Sequence, residues 1–267
     1  MMFKNRIAVL ATMHRKEDAI APILESDLGL KIQVPTDFDT DRFGTFTREI
    51  ARSGDQLEAA RKKALAALEI VGGDLAIASE GSFAPHPSFP MLPCDREIVL
   101  LIDTLNDLEI IGESISTETN FNHRTVSNYD QAYQFAMKVG FPDHKLVVIK
   151  QHEIVKGIGD FDQLKEAVSS GKVRVETDMR AMNNPTRMKV IAQATRDLVE
   201  KLRSCCPNCS TPGFTVADVR RGLPCGWCGS PTNLILASID RCSKCGFEQE
   251  QVSDQKADPM YCPYCNP

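Results

Sequence analysis

Cys206-Pro-Asn-Cys209, Cys225-Gly-Trp-Cys228, Cys242-Ser-Lys-Cys245 and Cys262-Pro-Tyr-Cys265 punctuate the last quarter of the chain, and they hold eight of its ten cysteines. Two residues between cysteines let a tight turn aim both sulfurs at one point, which is half of a tetrahedral thiolate site. Fifteen residues separate the first pair from the second and sixteen the third from the fourth. Both gaps fit the Cys-x2-Cys-x15–20-Cys-x2-Cys spacing of structural zinc sites. Four pairs supply eight ligands, enough for two Zn2+ ions with four thiolates each. The spacing leaves the pairing open between sequential, nested and interleaved arrangements, and sequential pairing is the favoured expectation. Cys205, next to Cys206, reads as a bystander.

A site closed by four cysteines leaves the metal no open position for catalysis. The tail is therefore a scaffold or a surface for a protein partner. From Cys205 onward five Lys/Arg (Arg220, Arg221, Arg241, Lys244, Lys256) face six Asp/Glu, a balance that disfavours nucleic acid. Gly229 and Gly246 follow the second cysteine of their pairs, where the turn wants a left-handed backbone; Ser210 and Asn266 take the equivalent places.

The 267 residues carry a formal charge of -5. Eight thiolates and two zinc ions would bring that to about -9. Such a charge argues against a nucleic-acid coat or an anionic-membrane binder. The opening MMFKNRIAVLATMHRKED has too short an apolar run for a secretory signal, and no stretch approaches a membrane span. Cysteines gathered in pairs suit a reducing compartment, so a cytoplasmic protein is expected.

Upstream of the cysteines the pattern alternates. Arg6–Ala11, Leu28–Val34, Asp74–Ala78, Glu97–Asp103, Leu108–Ser116 and Lys145–Lys150 read as strands. Helical spacing continues from Lys16 through Leu24. It recurs from a cap at Ser53 or Asp55 to Leu68, and over Tyr129–Val139, Asp160–Ser169 and Pro185–Leu202. Ser79 to Pro93 reads as a Gly/Pro-rich loop that breaks regular structure. The expectation is an α/β domain over residues 1–203 and a zinc-ribbon region over 204–267, where Phe214–Val219 and Asn233–Ile239 can supply strands.

Three segments of the first domain carry a resemblance. Ala11-Thr12-Met13-His14-Arg15-Lys16 follows a strand and enters a helix. Gln56-Leu57-Glu58-Ala59-Ala60-Arg61-Lys62-Lys63-Ala64 opens another helix, and Ala78-Ser79-Glu80-Gly81-Ser82 follows a second strand. In this order they resemble the Thr/Ser…Lys entry, the Phe-x-Glu-Asn-Ala-x-x-Lys-Ala helix and the Ala-Asp-Asp-Ser-Gly loop of the inosine triphosphate pyrophosphatases. The Glu-containing loop of the related inosine/xanthosine triphosphatases is closer to the third. Gln56 stands for the Phe, Ala59 for the Asn and Ser79 for one of the loop acids. The whole chain also resembles an uncharacterised bacterial family that joins such a domain to a zinc-ribbon tail.

The pyrophosphatase resemblance implies a mixed-sheet α/β fold and Mg2+-dependent hydrolysis of a nucleotide or another phosphorylated small molecule. Glu58 and Glu80 would hold Mg2+, with Glu80 the base or water-positioner. Thr12, Lys16 and Lys63 would contact phosphate, with Arg180 or Arg187 over the substrate. Plainer readings stand beside these. Glu58 and Lys62 form an i,i+4 pair on a helix surface; His14 and His86 are exposed loop histidines; Cys94 is a packing residue; Asp37, Asp39 and Asp41 belong to a solvated loop. The competing function is a non-catalytic adaptor whose zinc ribbons bind a protein or, less favoured, a nucleic-acid partner. The two part on geometry, because an enzyme requires Thr12, Lys16, Glu58, Glu80 and an arginine of the last helix to share one cleft.

Overall fold

The computed structural model describes residues 2–36, 38–40, 54–151, 153–169 and 171–266. They divide into two compact units, Met1–Val199 and Glu200–Pro267.

The first unit opens with β1 (Ile7–Ala11), α1 (Glu17–Leu28), β2 (Lys31–Gln33), α2 (Gln56–Val71), β3 (Leu75–Pro85), β4 (Pro93–Asp103) and β5 (Leu108–Ser116). Their five strands form a mixed sheet in the order β2-β1-β3-β4-β5. β1 runs parallel to β2 and β3, while β3, β4 and β5 alternate direction. Ala8–Ala11 of β1 and Leu75–Ala78 of β3 are buried without alternation, as strands covered on both faces must be. α2 lays Ala60, Ala64 and Ala67 on the sheet, and these small side chains pack against Val9, Ala76, Ile98 and Leu100. Asp55 caps α2 and Glu58 closes the capping box; Ser53 lies outside the described residues.

Ser79–Pro93 is not a structureless loop. β3 continues to Pro85 and pairs with β4 from Leu75↔Asp103 to Pro85↔Pro93. Gly, Glu and Pro lower strand propensity locally, but an antiparallel partner supplies the ladder bonds. The two prolines sit at its last rung, where a missing N–H costs least. Cys94 is buried on β4, and His86 lies at the hairpin tip with Nδ1 accepting from the Ser88 N–H at 3.2 Å.

A second sheet, β6-β9-β7-β8, is antiparallel throughout. It comprises β6 (His123–Val126), β7 (Leu146–Ile149), β8 (Ile154–Ile158) and β9 (Val173–Thr177). α3 (Tyr129–Lys138) and α4 (Phe161–Ala167) share its core with Phe135, Phe141, Val148, Ile158, Leu164 and Val175. Of these strands the sequence pattern shows only β7; the others are too short and half-buried for a clear period.

α5 (Pro185–Arg203) packs along β5, with the Glu113 N–H donating to Asp197 Oδ2 at 2.7 Å. The approach is closest at Gly112, where a Cβ would lie 2.2 Å from Ala194 O and 2.5 Å from the backbone nitrogen of Leu198. Backbone cannot yield there as a side chain could. Gly112→Ala should cost on the order of 3 kcal/mol, read as a lower urea midpoint for the first unit.

The second unit is a meander of β10 (Thr215–Arg221), β11 (Ile235–Arg241) and β12 (Glu248–Val252). Its apolar cluster is small, with Phe214 against Cys206 and Cys242. So little core does not hold a domain this size without cross-links or metal. Among the described residues no helix is long and apolar enough to cross a membrane.

Candidate metal centres and a buried ionic cluster

The eight paired cysteines gather into two groups, Cys206/Cys209/Cys242/Cys245 and Cys225/Cys228/Cys262/Cys265, with the sulfurs of each within 4.8 Å of one another. Cross-pair separations are 3.7 and 3.6 Å in the first group and 3.9 and 3.6 Å in the second. A tetrahedral zinc with bonds of ~2.3 Å has edges of about 3.8 Å, so both cages have the right size. The turns are alike. Ser210, Gly229, Gly246 and Asn266 each donate their N–H to the carbonyl of the first cysteine of their pair, at 2.8–3.0 Å. Ser210, Gly229 and Gly246 take φ of 59°, 74° and 71°.

Packing four sulfurs together sets the thiols against each other. Hydrogen bonds from Thr211 and Ser230 hold Cys209 and Cys228 down at about 6. Burial pushes Cys206 up to about 11, and the bond to Cys228 raises Cys265 to about 12. A divalent cation that replaces the protons removes that conflict.

The grouping corrects the expected sequential pairing, because the first pair joins the third and the second joins the fourth. Topology is the reason. One strand lies between consecutive pairs, and the seven residues of β10 or β11 span roughly 20 Å. Neighbouring pairs therefore lie at opposite ends of the meander, and alternate pairs meet. Cys205 belongs to neither group.

In the first unit six charged side chains are buried together where β1 ends beside the β3–β4 ladder. They are Lys16, Lys63, Glu80, Asp95, Glu97 and Arg187. Lys16, at the start of α1, donates from Nζ to the Ser79 carbonyl at 2.8 Å. Burial, then repulsion from Arg187, lowers its ammonium to about 7. Lys63 reaches from the buried face of α2 to an ion pair with Glu80 Oε1. Gln56 fixes the same face, its Nε2 donating to the carbonyls of Glu80 (2.7 Å) and Arg96 (2.9 Å) across the hairpin.

Arg187 enters from the first turn of α5, where its N–H donates to Asn184 Oδ1. It is fully buried. Its Nε donates to Glu97 Oε1 at 2.6 Å, Nη1 bonds the Met179 carbonyl, and the guanidinium lies 5.4 Å from the centre of the Phe83 ring. The ion pair crosses β3 at Gly81, where a Cβ would stand 2.1 Å from Glu97 Oε1 and 2.5 Å from Arg187 Nη2. Only glycine leaves that passage open.

Of the expected site residues, then, Lys16, Lys63, Glu80 and Arg187 come together. Thr12 follows β1 one residue past the Ala11↔Ala78 pair, buried, with Oγ1 accepting from the His14 N–H at 3.4 Å. Glu58 is elsewhere: it is exposed on α2, and its carboxylate accepts from the Asp55 N–H. Arg180 is also elsewhere, bound by Nε and Nη2 to Asp178 Oδ1 and Oδ2 at 3.1 and 2.7 Å. Asp37 and Asp41 lie outside the described residues. Asp95 and Glu97 are the members that sequence reasoning missed. Their signal was two acids at alternate positions of a strand that runs on apolar from Ile98 to Ile102, with Arg96 turned outward to Glu113.

These features define the chain's class, an α/β unit with a buried ionic cluster followed by a tail with two interleaved four-cysteine metal sites. The chain belongs to the family described as a domain of unknown function (DUF6671), whose model matches residues 63–267. A comparison with curated proteins finds no match. Neither comparison gives evidence of a relationship to the triphosphate pyrophosphatases.

Proposed function

We propose that the tail's two cages hold structural zinc and that the first unit hydrolyses a phosphorylated small molecule, a nucleotide foremost. Glu58 lies outside the cluster, so the full convergence that the resemblance demands is not met, and one observation on the remaining residues carries the second half. Six buried charges lie together at the carboxyl end of β1, the edge at which open α/β sheets bind ligands. A buried ionic network is a poor way to gain stability, since apolar side chains of equal volume do as well or better. Retained charges of both signs suit a reaction that needs both. Lys16 and Lys63 would meet phosphate oxygens, and Glu80 would orient the attacking water. Mg2+ would enter as the phosphates' counter-ion, held chiefly by them and by water.

The test is turnover of a nucleotide panel with and without Mg2+. The wild type should hydrolyse at least one member, and Glu80→Gln should lower kcat about 100-fold or more. No turnover, or a Glu80→Gln enzyme with unchanged kcat, sinks the reading. The adaptor reading would then lead. It is favoured by Trp227, Met260, Tyr261 and Tyr264, exposed apolar side chains on or next to the cysteine pairs of the second cage.

A further inference from the structure

β4 places Asp95 and Glu97 on one face, and they are 1% and 0% exposed. Arg187 holds Glu97 by Oε1. Glu97 Oε2 and both oxygens of Asp95 have no hydrogen-bond partner among the described residues, and as alternate residues of one strand the two buried carboxyl groups are neighbours on the same face. Two ionised carboxylates would face one another there, with three acceptor atoms unsatisfied and no donor to them among the described residues. One proton on Asp95, directed to Glu97 Oε2, satisfies two of those atoms and removes the like-charge contact.

We propose that Asp95 and Glu97 hold a single proton between them and that this carboxyl is the proton donor of the site; the donor role rests on the hydrolytic reading above. The proton sits on Asp95, because Glu97 Oε1 already accepts from Arg187 Nε while neither oxygen of Asp95 has a partner among the described residues. Burial, and then the Glu97 charge, push Asp95 up to about 8. Arg187 from α5 and Lys16 from the start of α1 act in the opposite direction. Lys63 of α2 and Glu80 of β3 complete the charged surround of Lys16. The cross-strand neighbours of Asp95, Phe83 on β3 and Ser116 on β5, do not titrate here.

The shared proton changes what the cluster can bind. Below about pH 7, where Lys16 is charged, it leaves Lys16, Lys63 and Arg187 against only Glu80 and Glu97, an excess of positive charge suited to a phosphoryl group. In hydrolysis, water adds its oxygen to phosphorus and gives a proton to Glu80 as the bond from phosphorus to the leaving oxygen breaks. That oxygen takes the proton from Asp95 and departs protonated, as an alcohol from an ester or a hydrogen phosphate group from an anhydride. Glu80 returns its proton through solvent to the Asp95–Glu97 pair, so one water is consumed and the site is restored.

Isotope-edited infrared titration of the whole chain, with aspartate labelled by 13C at the side-chain carboxyl, tests the shared proton without relying on a variant. A protonated-aspartate band that shifts with the label should persist at pH 7 and vanish with a midpoint near 8. It should be missing from Asp95→Asn and present in Glu80→Gln. Absence of the band from the wild type above pH 6 overturns the proposal, whether or not Asp95→Asn folds. The donor role has its own readout: kcat should fall on the alkaline side with the same midpoint, and Asp95→Asn should lose that limb together with about 100-fold in kcat. An unchanged limb in Asp95→Asn overturns the donor role. A band without any nucleotide turnover supports the shared proton and removes the hydrolytic reading instead.

Discussion

Cys206→Ser and Cys242→Ser should each reduce bound zinc from two ions per chain to one, and the double variant should still hold one, because both residues serve the same cage. Cys206→Ser with Cys225→Ser should hold none. Sequential pairing predicts the reverse for both double variants, so elemental analysis of four proteins distinguishes the arrangements. The effect is large. Structural zinc contributes roughly 10–16 kcal/mol of apparent binding free energy in small domains, and this unit's apolar cluster offers little to replace it. Trp227 gives an optical check, since it lies within the second cage and its backbone N–H donates to Cys225 Sγ at 3.4 Å. Its emission should respond to Cys262→Ser and much less to Cys242→Ser.

Arg187→Met should destabilise the first unit by about 3–5 kcal/mol, the usual result of removing one member of a buried ion pair. Glu97 would lose its cation at a fully buried position, and the Met179 carbonyl its donor. Combining Arg187→Met with Glu97→Gln should recover a large part of the loss. Most of the single-variant cost is the stranded carboxylate rather than the lost attraction. Urea unfolding of the wild type, both single variants and the double gives the coupling. A double variant as unstable as the sum of the singles would place the cost in packing against Phe83 instead.

Ligand identity was legible in the tail because it depends on residue type and local spacing, which the four pairs display in full. The partition into cages was not, because it depends on how many strands separate the pairs. A fifteen-residue gap accommodates one strand or a tight hairpin equally well. In the first unit, α2 and α5 followed from their periodicity. The capping role of Glu58 was also legible, since Asp55-Gln56-Leu57-Glu58 is the Asp-x-x-Glu form of a capping box. The resemblance drew Glu58 into the site only because it matched a motif position.

Lys16, Lys63, Glu80 and Arg187 were found by order along the chain and come together in the fold. Asp95 and Glu97 were hidden by the strength of a good general rule. Charged residues next to Gly/Pro-rich sequence normally belong to solvent. Only the β3–β4 register, carried past Glu80 to Pro85, turns them inward. Gly81 misled in the same way, reading as a chain breaker where the fold uses it as a gap for a crossing ion pair.

The alternation of cages along the meander bears on how the tail is divided as a molecule. A cut between Cys228 and the start of β11 leaves two fragments, and each retains two sulfurs of the first cage and two of the second. Neither fragment contains a complete site, so with both cages loaded neither could separate without releasing both metals. Such a loaded tail would be one indivisible module, with the ions as rivets between halves that have no independent existence.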